Sequence, residues 1–151
     1  MKRLLVIIAL MIVSTSCGHY STADGPTPDN FINADINTVW EKTLETLKAE
    51  GMTLEKTNKD RYFVEATQYV PRSRGSIDWT QGPEISIRLT PKSTSEGSQT
   101  KIRFKGVFNY FQRDSVTPVA LEDEESERYI DELIARLSAG IKTLSESHVG
   151  E

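Results

Sequence analysis

Apolar residues recur at helical spacing near the start of the folded part of the chain, which predicts a helix over residues 37–50. Thr38 begins a capping-box pattern that ends at Glu41, and Asn37 and Asp35 are competing caps. The predicted apolar face comprises Val39, Trp40, Thr43, Leu44 and Leu47. Charged residues occupy the other face, as expected for a helix packed against a core.

A second and longer apolar stripe lies near the carboxyl end. Acidic residues crowd positions 122–127, where the dipole of a following helix favours negative charge. The stripe comprises Ile130, Leu133, Ile134, Leu137, Ile141 and Leu144. This pattern predicts a long amphipathic helix whose apolar face covers a sheet.

Between the two helices, apolar and polar residues alternate with the period of β-strands. Residues 52–70 predict a hairpin, residues 84–90 the clearest strand, and residues 100–112 the strand that returns beside it. A short apolar segment at 31–36 predicts a first strand. The alternation blurs after Gly106, which predicts a β-bulge there.

The predicted order is β-α-β-β-β-β-α, an α+β fold with an antiparallel sheet of about five strands and two helices on one face. The order resembles the helix-grip arrangement. The run 34–40, the pair Leu44 and Leu47, then Gly51-Met52 and Asp60-Arg61 resemble the repeated domain of BamC-type outer-membrane lipoproteins. The resemblance implies a helix-grip fold, the outer membrane, and a role as an accessory in outer-membrane protein assembly. This chain has one such domain where that family has two.

The amino terminus has the three parts of a secretory signal. Lys2 and Arg3 are followed by ten apolar residues at 4–13 and by the small residues 14–16. The apolar run is shorter than the roughly 20 residues that a membrane-spanning helix needs. We therefore expect a signal peptide at 1–16, a flexible tether at 17–30, the α+β domain at 31–147 and a tail at 148–151.

Cys17, the only cysteine, directly follows the signal and resembles the acceptor of a bacterial lipobox. The resemblance implies covalent diacylglycerol and an N-acyl chain such as palmitate on Cys17, hence a lipid anchor in the membrane. Ser14 stands where that motif usually has an aliphatic residue, and residues 14–16 also fit ordinary signal peptidase, which would leave Cys17 free. Gly18, in place of an aspartate, implies the outer membrane facing the periplasm.

Composition and charge restrict the partners. Of 151 residues, 37% are hydrophobic and 26% charged, which is typical of a folded domain. The formal net charge is −4, and removal of Lys2 and Arg3 with the signal takes it to −6. An acidic domain does not attract nucleic acid or anionic membranes by its bulk charge. We therefore expect no nucleic-acid partner, and membrane association through lipid alone.

The sequence has no recognisable catalytic or metal-binding set, so we expect no enzymatic activity, no metal and no non-covalent cofactor. His19 lies in the tether and His148 in the tail, each without a neighbouring partner. Glycines are isolated and form no phosphate-binding loop. A hydrolase therefore ranks below the binding functions.

Residues 71–83 predict a long loop. Arg72, Arg74, Asp78 and Trp79 make it a candidate contact surface for a partner, because Trp and Arg often anchor interfaces. Alternatively, Trp79 packs against the core.

Two functional hypotheses follow from these features. The first is a non-catalytic lipoprotein that binds an unidentified envelope protein. The second is a periplasm-facing binder of a small apolar or lipid ligand, held in a gap beneath the helix at 130–144.

Overall fold

The computed structural model describes residues 30–74, 77–95, 97–112 and 117–147. The elements are β1 (Asn30–Ile32), α1 (Ile36–Ala49), β2 (Thr53–Asn58), β3 (Phe63–Thr67), β4 (Val70–Arg74), β5 (Ile77–Thr94), β6 (Gly97–Gln112), β7 (Val119–Ala120) and α2 (Glu124–Ser147). The predicted signal peptide, Cys17 and the tail lie outside the described residues.

The strands form one antiparallel sheet in the order β1-β6-β5-β3-β2, with β7 beside the far end of β6. Strand β4 continues β3 along β5 in the same register, because Thr67 faces Glu84 and Val70 faces Gln81. The predicted α+β class, with an antiparallel sheet and two helices, is confirmed. The sheet has seven strands instead of about five, since β4 and β7 were not predicted.

Both helices cover the same face of the sheet and share one core with it. The buried apolar residues are Ile32, Ala34, Val39, Trp40, Leu47, Met52, Val64, Ala66, Ile85, Ile87, Leu89, Ile102, Phe104, Ile130, Leu133, Leu137 and Ile141. The buried apolar core residues are odd-numbered on β5 and even-numbered on β6. This alternation divides the sheet into an inner face against the helices and an outer face.

Helix α1 begins where the sequence predicts, and Asp35 is its cap. The Asp35 Oδ1 atom accepts hydrogen bonds from the backbone N–H groups of Asn37 (2.9 Å) and Thr38 (3.2 Å). The carboxylate therefore satisfies backbone donors that have no partner within the helix.

The predicted bulge at Gly106 is wrong. Pairing of β5 with β6 keeps one register from Trp79–Gln112 to Thr94–Gly97, and Gly106 faces Ile85 within it. The glycine instead lets α2 approach the sheet, because a Cβ atom there would lie 2.5 Å from Ile130 Cγ2 and 2.8 Å from Ile85 Cδ1.

The predicted loop at 71–83 is also wrong, because this segment forms the β4–β5 hairpin. In the described part of the sheet, Pro71 lies on the edge strand β4 and Pro83 lies opposite the gap between β3 and β4, and a strand tolerates proline at such positions. The ladder is interrupted at Gln68, whose backbone N–H donates to the Pro83 carbonyl oxygen at 3.0 Å. Gly82 lies against this interruption, where a Cβ atom would come within 2.2 Å of the Gln68 carbonyl oxygen.

In the part of the chain that the structure describes, no helix is long and apolar enough to cross a membrane.

Candidate functional site

A groove of about 450 Å³ lies on the inner face of the sheet, between the β4–β5 hairpin and the beginning of α2. It forms because the hairpin and the end of β6 extend past the first turn of the helix. Its volume is within the range of small-molecule and peptide side-chain pockets. The groove is lined by Gln68, Val70, Arg72, Gln81, Gly82, Pro83, Phe108, Leu121, Asp123, Glu125, Ser126 and Tyr129.

Aromatic residues join the two walls of the groove. The Phe108 and Tyr129 rings meet edge to face, with centroids 5.5 Å apart. The Tyr129 hydroxyl donates to Gln68 Oε1 at 3.4 Å, and Gln68 Nε2 donates to the Glu50 carbonyl oxygen at 3.0 Å. Gln68 therefore links the sheet to the end of α1 and the start of α2, which fixes the width of the groove.

The helix wall is acidic and the sheet wall basic. Asp123 caps α2: its Oδ1 accepts from the Ser126 backbone N–H and its Oδ2 from the Ser126 hydroxyl, each at 2.9 Å. These hydrogen bonds lower the pKa of Asp123, so the carboxylate remains charged well below neutral pH. Glu125 lies beside it, whereas Arg72 projects from the opposite wall.

The structure brings three of the four predicted contact residues to one face. Arg72 and Trp79 are direct cross-strand partners on the groove side, and Arg74 lies two residues further along β4. Trp79 is half-buried, and its Nε1 donates to Gln81 Oε1 of the groove at 3.1 Å. Asp78 is exposed and pairs with Ser73 on the other face.

A polar network behind the groove, on the outer face, has no signal in the sequence. Asn109 Nδ2 donates to Glu84 Oε2 at 2.8 Å and to the Tyr69 hydroxyl oxygen at 3.2 Å. The Tyr69 hydroxyl donates to the same Glu84 oxygen at 3.1 Å. Gly82 pairs with Asn109 and lies beside the Tyr69 backbone. Because glycine has no side chain, nothing separates the side chains of Tyr69 and Asn109. Burial raises the pKa of Tyr69, and the proton stays on the hydroxyl as a structural donor.

The space expected beneath residues 130–144 is filled by side chains. Ile130, Leu133, Leu137 and Ile141 are at most 4% exposed, and all belong to the shared core. Close packing of α2 on α1 adds to this: a Cβ atom at Gly140 would lie 2.9 Å from Thr46 Cγ2. The groove lies instead before this stripe, at the first turn of α2.

Within residues 30–74, 77–95, 97–112 and 117–147, no three His, Cys, Asp or Glu side chains are grouped as metal ligands would be. The side chains that line the groove offer charge, hydrogen-bonding groups and aromatic surface.

No protein-family model matches this chain, and no curated protein matches it. Among solved structures, a TBP-like protein from Parabacteroides distasonis is similar at 8% identity, over 72% of this chain and 85% of that one, with a TM-score of 0.40. Ara h 8.0201 is similar at 7% identity, over 78% of this chain and 93% of that one, with a TM-score of 0.36. Similarities this remote carry no inference about activity or partners.

Proposed function

We propose that this protein is a non-catalytic, lipid-anchored protein of the bacterial envelope that binds a segment of another envelope protein. The observation that carries the binding role is the groove, with its aromatic floor and its oppositely charged walls. The signal-like amino terminus and Cys17 support the anchor. One role that we propose for such a protein is that of an accessory factor in outer-membrane protein assembly.

The chemistry of the groove favours a protein segment as its occupant. Phe108 and Tyr129 offer an apolar floor for one side chain of the segment. A cation of the segment fits Asp123 and Glu125, while an anion fits Arg72. The partner is therefore an extended segment with an apolar residue between charges of opposite sign.

The edge of the hairpin adds a second means of attachment. All five residues of β4 are exposed, and Val70 retains 42% of its accessible surface. In the described part of the sheet, β4 pairs with β5 and with no strand on its other side. An extended segment lying along β4 can form backbone hydrogen bonds there and direct a side chain into the groove.

Site-specific photo-crosslinking in living cells tests this role. A photoreactive residue replaces Val70 in the groove, and in a matched control it replaces exposed Lys142 on α2, away from the groove. We expect one crosslinked protein from position 70 that is absent from position 142. Arg72→Glu should abolish that crosslink without unfolding the domain, because Arg72 is exposed. Equal crosslinks from both positions, or a crosslink insensitive to Arg72→Glu, would reject the groove as the binding site.

A small ligand is the second candidate, and the volume of the groove favours it. About 450 Å³ accommodates a small molecule or one short acyl chain. Native mass spectrometry of the purified protein distinguishes the two candidates. A co-purifying molecule that is lost on Phe108→Ala supports the small ligand, whereas a ligand-free mass together with a specific crosslink supports the protein segment.

A further inference from the structure

One part of the outer face of the sheet, formed by residues 86–92 and 99–105, carries a charge opposite to that of the whole chain, and Glu65 and Glu84 border it on the same face. The register of β5 and β6 places eight side chains outward between Ser86 and Lys92 and between Gln99 and Lys105. Five of the eight are cations and none is a carboxylate. We call these five the basic face: Arg88, Lys92, Lys101, Arg103 and Lys105.

Like charges within this face are held directly opposite one another. Arg88 and Arg103 are cross-strand partners, and both are exposed. Among the described residues, no carboxylate lies within 4.0 Å of either guanidinium. Directly opposed like charges destabilise a strand pair, so this arrangement is unfavourable for folding alone.

Negative charge is concentrated on the other side of the molecule. Helix α2 contains six acidic and three basic residues, and Glu122 and Asp123 precede it. The net charge of −4 therefore conceals a segregation between the acidic helix α2 and the basic face on the other side of the sheet. The net charge of the chain does not reveal this segregation, because the electrostatic field within about one Debye length of the surface is set by the local patch of charges.

Two aromatic rings lie among the cations. Lys92 Nζ and Lys101 Nζ lie 4.4 Å and 5.3 Å from the centroid of the Phe31 ring. On the neighbouring side, Arg88 Cζ lies 5.6 Å from the centroid of the Phe63 ring. Each contact sets a cation beside an aromatic ring. Long cationic side chains that keep their stems on apolar surface and their charge in water are favoured at membrane interfaces.

The chain enters the fold at this same face. Strand β1 begins at Asn30, and Phe31 is the next residue. Twelve residues lie between Cys17 and Asn30, and the thirteen Cα–Cα steps that join the two reach about 45 Å at most when fully extended. An acyl anchor at Cys17 therefore holds the basic face within reach of the bilayer.

We propose that the basic face rests on an anionic bilayer surface and binds the phosphates of its lipid headgroups. This inference rests on the lipid anchor of the proposed function. The groove lies on the opposite, helix-covered face of the sheet, so this orientation turns it away from the membrane and toward a partner. Lipid attachment fixes the domain at the surface, and the basic face fixes its orientation.

The test uses the acylated full-length mature protein in vesicles. Cys17 is the only native cysteine. In the acylated protein its sulfur is blocked as the thioether to diacylglycerol, so an introduced cysteine takes a nitroxide label specifically. The label replaces Thr90, at the centre of the basic face, or exposed Ala135 on α2 as the matched control. Accessibility to a water-soluble relaxing agent is compared between vesicles containing about one-third phosphatidylglycerol and vesicles of phosphatidylcholine alone.

We expect protection of the label at position 90 on anionic vesicles only, and no protection at position 135. Arg103→Glu with Lys105→Glu should lower the ratio of oriented to unoriented protein about 25-fold or more, taking about fivefold for each cation removed. Both Arg103→Glu alone and the double variant should unfold at the wild-type temperature or above, because Arg103→Glu replaces the opposed arginine pair by an ion pair and Lys105 is exposed. Loss of orientation then cannot be attributed to misfolding.

The possible failures are distinguishable. If the protein fails to associate with either kind of vesicle, the anchor and the proposed function fail together. If it associates but both labels are equally accessible on anionic vesicles, the basic face is not a membrane surface and only this inference is overturned. Tight binding of a single-stranded oligonucleotide near 0.15 M salt, with no orientation on vesicles, would overturn it in favour of nucleic acid.

Discussion

Gly106→Ala tests how closely α2 approaches the sheet. The added Cβ atom would lie 2.5 Å from Ile130 Cγ2 and 2.8 Å from Ile85 Cδ1, and both isoleucines are buried. Overpacking of this kind costs about 1–3 kcal/mol, whereas replacing glycine by alanine in a strand recovers about 0.5–1 kcal/mol. We therefore expect the free energy of unfolding to fall by about 1–2 kcal/mol.

Urea unfolding of the unacylated Cys17→Ala protein, followed by circular dichroism, measures this change. A double-mutant cycle with Ile130→Ala isolates the contact. In the Ile130→Ala background, Gly106→Ala should be neutral or stabilising, because the new methyl group enters the space that the isoleucine has left. If Gly106→Ala stabilises the otherwise unchanged protein, α2 does not lie this close to β6, and the explanation for the glycine is wrong.

Two further predictions concern the hairpin and the helix cap. Gly82→Ala places a Cβ atom 2.2 Å from the Gln68 carbonyl oxygen. Exchange of backbone amide hydrogens should therefore accelerate in β4, while the part of β6 opposite Leu89 stays protected. Unchanged protection in both strands would contradict this explanation. The Thr38 hydroxyl and nearby backbone N–H groups donate to Asp35 and lower its pKa in the folded state. The stability that the charged Asp35 carboxylate contributes is therefore fully present above about pH 4, and it is lost as the pH falls through this lowered pKa. Asp35→Asn keeps a capping oxygen but does not titrate, so its stability should depend less steeply on pH in acid; equal slopes would contradict the assignment.

The helices follow from sequence because their apolar period is long and their caps are local. Helix α1 is predicted over 37–50 and runs over Ile36–Ala49, with the competing cap Asp35 in use. In α2, the residues that the stripe predicts to face the core include Ile130, Leu133, Leu137 and Ile141, which are all buried.

The hairpin and the groove are not predictable from local pattern. Pro71 and Gly82-Pro83 are typical of loops. Only the pairing of β3 and β4 with one long strand shows that Pro71 lies within the ladder, opposite Thr80, and that Gly82-Pro83 lie where the ladder is interrupted. Gly106 likewise suggests a bulge, and only the position of Ile130 reveals a packing requirement. Each depends on contacts between residues far apart in the chain.

The charge of the sheet illustrates the same limit. The cations at 88, 92, 101, 103 and 105 are spread over two strands with neutral and apolar residues between them. Strand alternation and register together place them on one surface, which the net charge of the chain does not indicate. The interpretation that membrane association comes from lipid alone is therefore extended by a proposed role for the basic face.

The most direct test of the account is the intact mass of the mature protein from membranes, beside that of the Cys17→Ala variant. The account predicts a chain that begins at Cys17 and carries the added mass of a diacylglycerol and an N-acyl chain, and a variant that leaves the membrane fraction. A mature chain that begins at another residue, or an unmodified Cys17 in a freely soluble protein, would contradict it.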